Sequence, residues 1–245
     1  MMNLFDIHCH ILPGVDDGSK NMEMSLDMLR MAYEDGTRNI ILTPHYMIGK
    51  NKYTYDELDK KFNDLKQAVA EHQDEFEGLN LYLGNEILYE EGIATKLRQG
   101  EIHTMNGTKY ILIEYNIRTP YTEILHSIDE VTQARFWPII AHVERYQALE
   151  GHLDRIEELI DKGCLLQMNI SSVEGGFLNE NTRWCRKLVK KGYITLFGTD
   201  AHNTDSRAPY TQDYIPWIIK KCGEEDAEWM TSGAADMVVQ GKYID

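Results

Sequence analysis

No stretch of this chain approaches the ~18 consecutive apolar residues that a membrane-crossing helix requires. The first residues include no basic segment followed by a long apolar one, so no secretory signal is read and a cytoplasmic location is expected. Cysteine is scarce. Cys9, Cys164, Cys185 and Cys222 occur without CxxC spacing, which fits neither a disulfide framework nor a thiolate zinc site, and they are read as reduced thiols. No CxxxxxR loop occurs either, which argues against a cysteine-nucleophile phosphatase. Positive charge is in deficit, with 25 basic against 40 acidic residues and a net charge of −15. That balance argues against nonspecific nucleic-acid binding, which needs a basic surface to displace counterions. A local phosphate site stays open, because bound divalent cations reverse the potential around them.

What is present is ordinary globular composition, 42% hydrophobic and 27% charged over 245 residues, enough for one domain spanning residues 1–245. Short apolar strands alternate with amphipathic helices. "LFDIH" leads into "EMSLDMLRMAYEDG" and "NIILTPH" into "TYDELDKKFNDLKQAVAEHQDEF", followed by "NLYLGNE", "YILIEY", "PIIAHVE", "LLQMNIS" and "ITLFGTDAH". In the second helical segment Leu58, Phe62, Leu65, Val69 and Phe76 form one apolar stripe, and Thr54 with Glu57 has the capping-box pattern. Gly36, Gly163 and Gly192 stand where helices should end. Seven strands separated by helices predict an α/β fold with a parallel sheet closed into a barrel. The last stretch, from Glu224, reads as a helix pair closing on that barrel.

Ionisable residues fall at the strand ends. His8 and His10 end the first strand, His45 the second, Glu86 the third, Glu114 the fourth, His142 the fifth, and Asp200 with His202 the seventh. Loops from every strand converge at the carboxyl end of a barrel, so residues from both ends of the chain would meet there. In "HCH" the imidazoles lie at i and i+2, on one face of an extended strand, and "DAH" repeats that spacing if it stays extended. Mixed imidazole and carboxylate donors suit Mn, Fe or Zn better than Ca or Mg. A single HxH is a weak signal, and His45 after Pro44 reads equally well as a helix cap. Glu114, a carboxylate within an apolar strand, is stronger because burying it unpaired is costly. Coincidence across six strands carries the joint reading. His72, His103, His126 and His152 lie away from strand ends and are assigned to surface or packing roles.

The segments "DIHCHILPGVDDG", "TPHY", "GNEI", "LIEYN", "IAHVERY" and "GTDAHN", in this order and over almost the whole chain, resemble the polymerase and histidinol phosphatase (PHP) superfamily. More narrowly they resemble the bacterial manganese-dependent protein-tyrosine phosphatases of capsule and exopolysaccharide loci. The resemblance implies a distorted (β/α)7 TIM-like barrel with its active site at the carboxyl ends of the strands and three divalent metal ions, Mn first, with Fe or Zn as alternatives. It implies one ion on His8, His10, Glu86 and Asp200, a second bridged by Glu86 to Glu114 and His142, and a third on Asp17, His45 and His202. Asp17 rather than Asp16 follows from the family's pattern, since the sequence does not separate them.

Such ions activate water and hold phosphate oxygens, so no covalent phosphoenzyme is required. Arg145 in "HVERY" and Arg207 in "HNTDSR" are candidate phosphate clamps, the alternatives being ion pairs with Glu144 and Asp205. A phenolate, with a pKa of about 10, leaves with little acid assistance, and Asp200 or a metal-bound water is the candidate acid. The stretch "YMIGKNKYTYDEL" reads as a loop over the site whose lysines either meet the substrate or simply face solvent. The implied substrate is the phosphotyrosine tail of a membrane-associated bacterial tyrosine autokinase, with no nucleic acid and no membrane anchor of the chain's own. The alternative is a small-molecule phosphatase of histidinol-phosphate type. The chain says nothing of oligomeric state. Replacing either His8 or Asp200 by Ala is expected to abolish phosphatase turnover while circular dichroism still reports the folded barrel; near-wild-type rates would remove that residue from the cluster.

Overall fold

The computed structural model describes residues 4–176 and 178–245. The elements run β1 (Leu4–Cys9), α1 (Met22–Glu34), β2 (Thr37–Leu42), β3 (His45–Tyr46), α2 (Tyr55–Glu71), β4 (Asn80–Leu83), β5 (Glu86–Leu88) and α3 (Ile93–Gln99). They continue as β6 (Tyr110–Glu114), α4 (Tyr121–Gln133), β7 (Trp137–Ile140), α5 (Leu153–Asp161), β8 (Leu165–Asn169), α6 (Glu180–Lys190), β9 (Leu196–Gly198), α7 (Ile215–Cys222), α8 (Glu224–Glu228) and α9 (Ala234–Val239). All strand pairs are parallel, in the orders β1-β2-β4 and β3-β5-β6-β7-β8-β9.

Two predicted strands are broken. "NIILTPH" splits into β2 and β3 around Thr43 and Pro44, and "NLYLGNE" into β4 and β5 around Gly84 and Asn85. Proline has no N–H for a ladder and restricts the residue before it, so the second strand is interrupted at that point. His45 and Glu86 therefore begin short strands rather than end long ones, and they face each other in register. The two sheets join through these breaks and through β9 against β1, where Asp200 N–H donates to His8 O at 2.7 Å and His10 N–H to Ala201 O at 2.8 Å. Parallel pairing thus runs round the ring at the carboxyl end of the strands.

The barrel interior is filled by Phe5, Ile7, Tyr110, Leu112, Ile139 and Leu196, and Ala234, Ala235 and Val238 of α9 pack into the same cluster. Helix α9 therefore closes the barrel's amino end, while Ala227 of α8 packs in the cluster that also holds α6 and α7. An irregularity between Asp6 and Cys9 in the pairing of β1 with β2 lets Ile7 face this core while His8, the next residue, also turns inward. Cys9 then points out, into the layer beneath α1 and α2.

The helices follow their sequence cues. In α2 the Thr54–Glu57 capping box forms, and Leu58, Leu65 and Val69 are buried; Phe76 lies beyond the helix yet packs in the same cluster. Gly36, Gly163 and Gly192 all take positive φ after their helices.

Gly198 closes β9 where the chain passes β1 at short range. A Cβ there would stand 2.7 Å from His8 Cβ and 3.1 Å from Gln167 Nε2. Gly198→Ala should lower stability by about 1–3 kcal/mol in urea unfolding, because the backbone of β1 or β9 must shift. Gly176→Ala, which meets open space, should stay within about 0.5 kcal/mol of wild type.

Candidate metal centre

The carboxyl rim gathers all nine side chains expected there. Glu86, fully buried on β5, lies at the centre, with His8 Nε2 at 3.2 Å, His10 Nε2 at 3.2 Å, His45 Nδ1 at 3.0 Å and His142 Nε2 at 2.8 Å. Glu114 Oε2 stands 3.6 Å from His142 Nε2 and 3.7 Å from His45 Nδ1. Asp200 Oδ1 is 3.6 Å from His8 and 3.5 Å from His10. Asp17 Oδ1 reaches 3.4 Å from both His45 Nε2 and His202 Nε2.

Three overlapping groups have donor atoms mutually within 4.8 Å: His8, His10 and Asp200; His45, Glu86 and Glu114; and His10, Asp17, His45 and His202. Two buried atoms, Glu86 Oε2 and His202 Nε2, have no hydrogen-bond partner. Three other buried side-chain atoms share that state among the described residues, but these two face a cluster of imidazoles and carboxylates, the donor set that takes a divalent cation. The residues therefore fit a divalent metal cluster.

The imidazoles are oriented from behind. His8 Nδ1 donates to Gln167 Oε1 at 3.1 Å, His10 Nδ1 to Asp16 Oδ2 at 2.8 Å and His202 Nδ1 to the carbonyl of Asp200 at 2.9 Å. Each of these contacts turns the Nε2 edge of its ring toward the centre. Gln167 Oε1 also accepts His142 N–H at 2.7 Å, and the Tyr146 hydroxyl lies 3.3 Å from His142 Nδ1. Asp6 ties β1 to β9: its carboxylate accepts the Thr199 amide at 2.9 Å, the Thr199 hydroxyl at 2.5 Å and the His8 amide at 3.2 Å.

The two aspartates of the first loop separate. Asp16 faces inward behind His10 and accepts from Gly18 and His45 amides at 2.9 and 3.1 Å, whereas Asp17 stands on the open side of the cluster. A Cβ on Gly18 would sit 2.0 Å from His10 O, so only glycine permits this turn to fold so tightly against β1.

Electrostatics follow the packing. Burial opposes the charged form of Glu86, but His8, His10, His142 and His45 outweigh it and hold the carboxyl well below its usual range. Burial also opposes ionisation of Asp16, and the His10 hydrogen bond brings it down to about 2. Burial would depress His142, yet Glu114 and Glu86 raise it to about 10, while burial and the nearby positive His10 and Arg207 lower His202 to about 4.

Asp200 departs from expectation. Against burial, the neighbouring His8 and the His10 hydrogen bond keep its carboxyl far below the usual carboxylate range. Its segment is not extended, since Asp200 takes φ +55°, yet Asp200 and His202 still reach the cluster. Arg145 and Arg207 find neither Glu144 nor Asp205. Both pair with Asp200, Arg145 at 2.8 Å and Arg207 at 2.7 Å. Glu144 is instead buried, accepting from Ser172 and the Asn169 amide.

Gln167, Asn169, Tyr146 and Asp6 were not singled out from the sequence as parts of the site. One signal for two of them was available: Gln167 and Asn169 alternate within the apolar run "LLQMNIS", placing both on its inner face.

A cavity of about 520 Å³ opens over the cluster, lined by metal-facing residues together with Ile117, Arg118, Arg145 and Arg207. A larger one of about 810 Å³ near residue 245, beside Cys164, Trp229 and Tyr243, brings together no cluster of three or more candidate metal ligands among the described residues.

Fold and site together define a parallel α/β barrel with clustered candidate metal ligands at its rim and arginines beside them. The chain belongs to the capsular polysaccharide synthesis family CpsB/CapC, which it matches over residues 4–240. It is 34% identical over 230 residues to the tyrosine-protein phosphatase CpsB of Streptococcus pneumoniae, covering 92% of this chain and 93% of that protein. A solved structure from a study of YwqE from Bacillus subtilis and CpsB from Streptococcus pneumoniae, metal-dependent tyrosine phosphatases, superposes with a TM-score of 0.88 at 29% identity, covering 99% of this chain and 96% of that one. Histidinol phosphate phosphatase from Lactococcus lactis shares the fold alone, with a TM-score of 0.60 at 14% identity over 91% of this chain and 95% of that one.

Asp16→Asn keeps the size of the side chain but weakens the acceptor for His10 Nδ1–H. A fall of about 10–100-fold in Mn affinity is expected by calorimetric titration, with the apo-protein's circular dichroism unchanged.

Proposed function

We propose that this chain is a metal-dependent protein-tyrosine phosphatase that hydrolyses phosphotyrosine by direct attack of water, without a covalent phosphoenzyme. The observation that carries the reading is the ring of four imidazoles around buried Glu86, surmounted by two arginines, in a chain of the CpsB/CapC family. Our assignment divides the ligands among three ions: His8, His10, Glu86 and Asp200; Glu86, Glu114 and His142; Asp17, His45 and His202. Manganese is the first choice, with iron or zinc as alternatives, because the donors mix imidazole with carboxylate. Bound there, such ions polarise phosphoryl oxygens and lower the pKa of coordinated water.

The chain's own groups do the rest. Arg145 and Arg207 have half-exposed side chains, so each keeps N–H donors for a phosphoryl oxygen while Asp200 anchors it. Glu86 and Asp200, held ionised, keep the floor anionic and ready for cations. A thiol nucleophile has no support. Cys9 donates to the Ile41 carbonyl away from the site, and burial pushes its thiol up, as it does Cys164 and Cys185, each to about 12.

The physiological substrate we assign is the phosphotyrosine-bearing tail of a membrane-associated bacterial tyrosine kinase in a polysaccharide locus, met in the cytoplasm. None of the helices among the described residues is long and apolar enough to cross a membrane.

The test is hydrolysis of a phosphotyrosine peptide and of histidinol phosphate by chelated protein resupplied with Mn, Zn, Fe or Mg. Metal-restored turnover that favours the peptide is expected. Equal or better turnover of histidinol phosphate would overturn the tyrosine reading, and activity surviving chelation would overturn the metal mechanism. Arg145→Ala or Arg207→Ala should cost about 10–100-fold in kcat/KM, the worth of one charge-assisted hydrogen bond.

A further inference from the structure

We infer that Ile117 and Arg118 select the peptide around the phosphotyrosine: Ile117 supplies the face on which the phenol ring lies, and Arg118 pairs with an anionic group on a flanking residue. The inference rests on the phosphotyrosine reading of the site.

With the phosphoryl group on the cluster floor beneath Arg145 and Arg207, the phenol must rise along the wall of the cavity. Ile117 is the large apolar side chain of that wall left open to water, 54% exposed, whereas Tyr115 below it is buried. Exposed apolar surface bordering a polar cavity is what a planar aromatic group covers favourably.

The wall is held in place. Ile117 O accepts the Gln147 amide at 3.1 Å, Thr119 N–H closes a turn onto Asn116 O at 2.9 Å, and the Tyr115 amide donates to the Tyr146 hydroxyl at 3.1 Å. Gln147 and Tyr146 follow directly on Arg145, so the distance from the phosphate clamp to the wall is fixed by backbone. A fixed distance suits a rigid leaving group of one length.

Arg118 differs from the other two arginines of the cavity. Arg145 and Arg207 are tied to Asp200, whereas Arg118 is exposed and has no ion pair among the described residues. On a chain of net charge −15 an unpaired cation at the rim is a local positive spot. The chemistry it fits is a carboxylate or a second phosphoryl group close to the phosphotyrosine.

The experiment uses metal-loaded full-length protein and phosphotyrosine peptides flanked by Ala, by Glu or by a second phosphotyrosine. Arg118→Ala should raise KM about tenfold on the anionic peptides and no more than about twofold on the Ala-flanked one, kcat changing little, with the difference shrinking in 1 M salt. The peptide with the larger loss identifies the anion. Ile117→Ala should lower kcat/KM about threefold or more on phenyl phosphate relative to an alkyl phosphate, and Ile117→Leu should restore it. Equal losses on neutral and anionic peptides, or none, would overturn the role of Arg118. Losses from Ile117→Ala that are equal on aryl and alkyl phosphates would overturn that of Ile117. Wild-type protein that hydrolyses no phosphotyrosine peptide would instead overturn the phosphatase reading itself.

Discussion

Burial of the Glu86 carboxylate is the constraint on which the rest of the site depends. An unpaired charge with no exposure is prohibitively costly, and here four imidazoles, from β1, the residue just after it, β3 and the loop after β7, stand within 3.2 Å of it. Bringing them there requires that β1 carry a bulge, that the second and third strands break near Pro44 and Gly84, and that the chain after β7 turn sharply, with His142 at φ +29°. Each irregularity weakens a ladder locally and re-aims one side chain inward. Such departures from regular strand geometry cluster at functional sites because only there is the lost ladder offset by another interaction.

Around this centre Gln167, Asp16 and Tyr146 meet ring nitrogens of His8, His10 and His142, and Asp6 accepts the His8 amide. Gln167 alone reaches three partners: His8, the His142 amide and Asn169, which in turn donates to Asp200 at 2.9 Å. His8, His142 and Asp200 therefore share one support, and displacing it disturbs ligands from three strands. Below, the apolar layer with α9 closes the amino end, and the cavity that Ile117 and Arg118 flank opens at the rim.

Asp200 carries two duties in this arrangement. Its Oδ1 stands near His8, His10 and Arg207 and its Oδ2 pairs with Arg145, so it links the candidate ligands to both clamp arginines. A phenolate leaving group places little demand on a proton donor.

The order of residues alone is enough to read the alternation of strands and helices, the capping of α2 and the types of ligand at the strand ends. These signals are local: imidazoles at i and i+2, a carboxylate inside "YILIEY", a glycine after a helix. Placement of Asp16 behind His10 and Asp17 in front was not legible, because both sit in one turn and only the packing of Gly18 against β1 decides which carboxylate faces in. Nor was the pairing of both arginines with Asp200, since the nearest acidic residues in sequence, Glu144 and Asp205, were the obvious partners and chain proximity is no guide across a barrel rim. Gln167 meets His8 across 159 positions of sequence. Contacts of that range come into being only when β8, β9 and β1 close side by side, and that closure is a property of the folded chain.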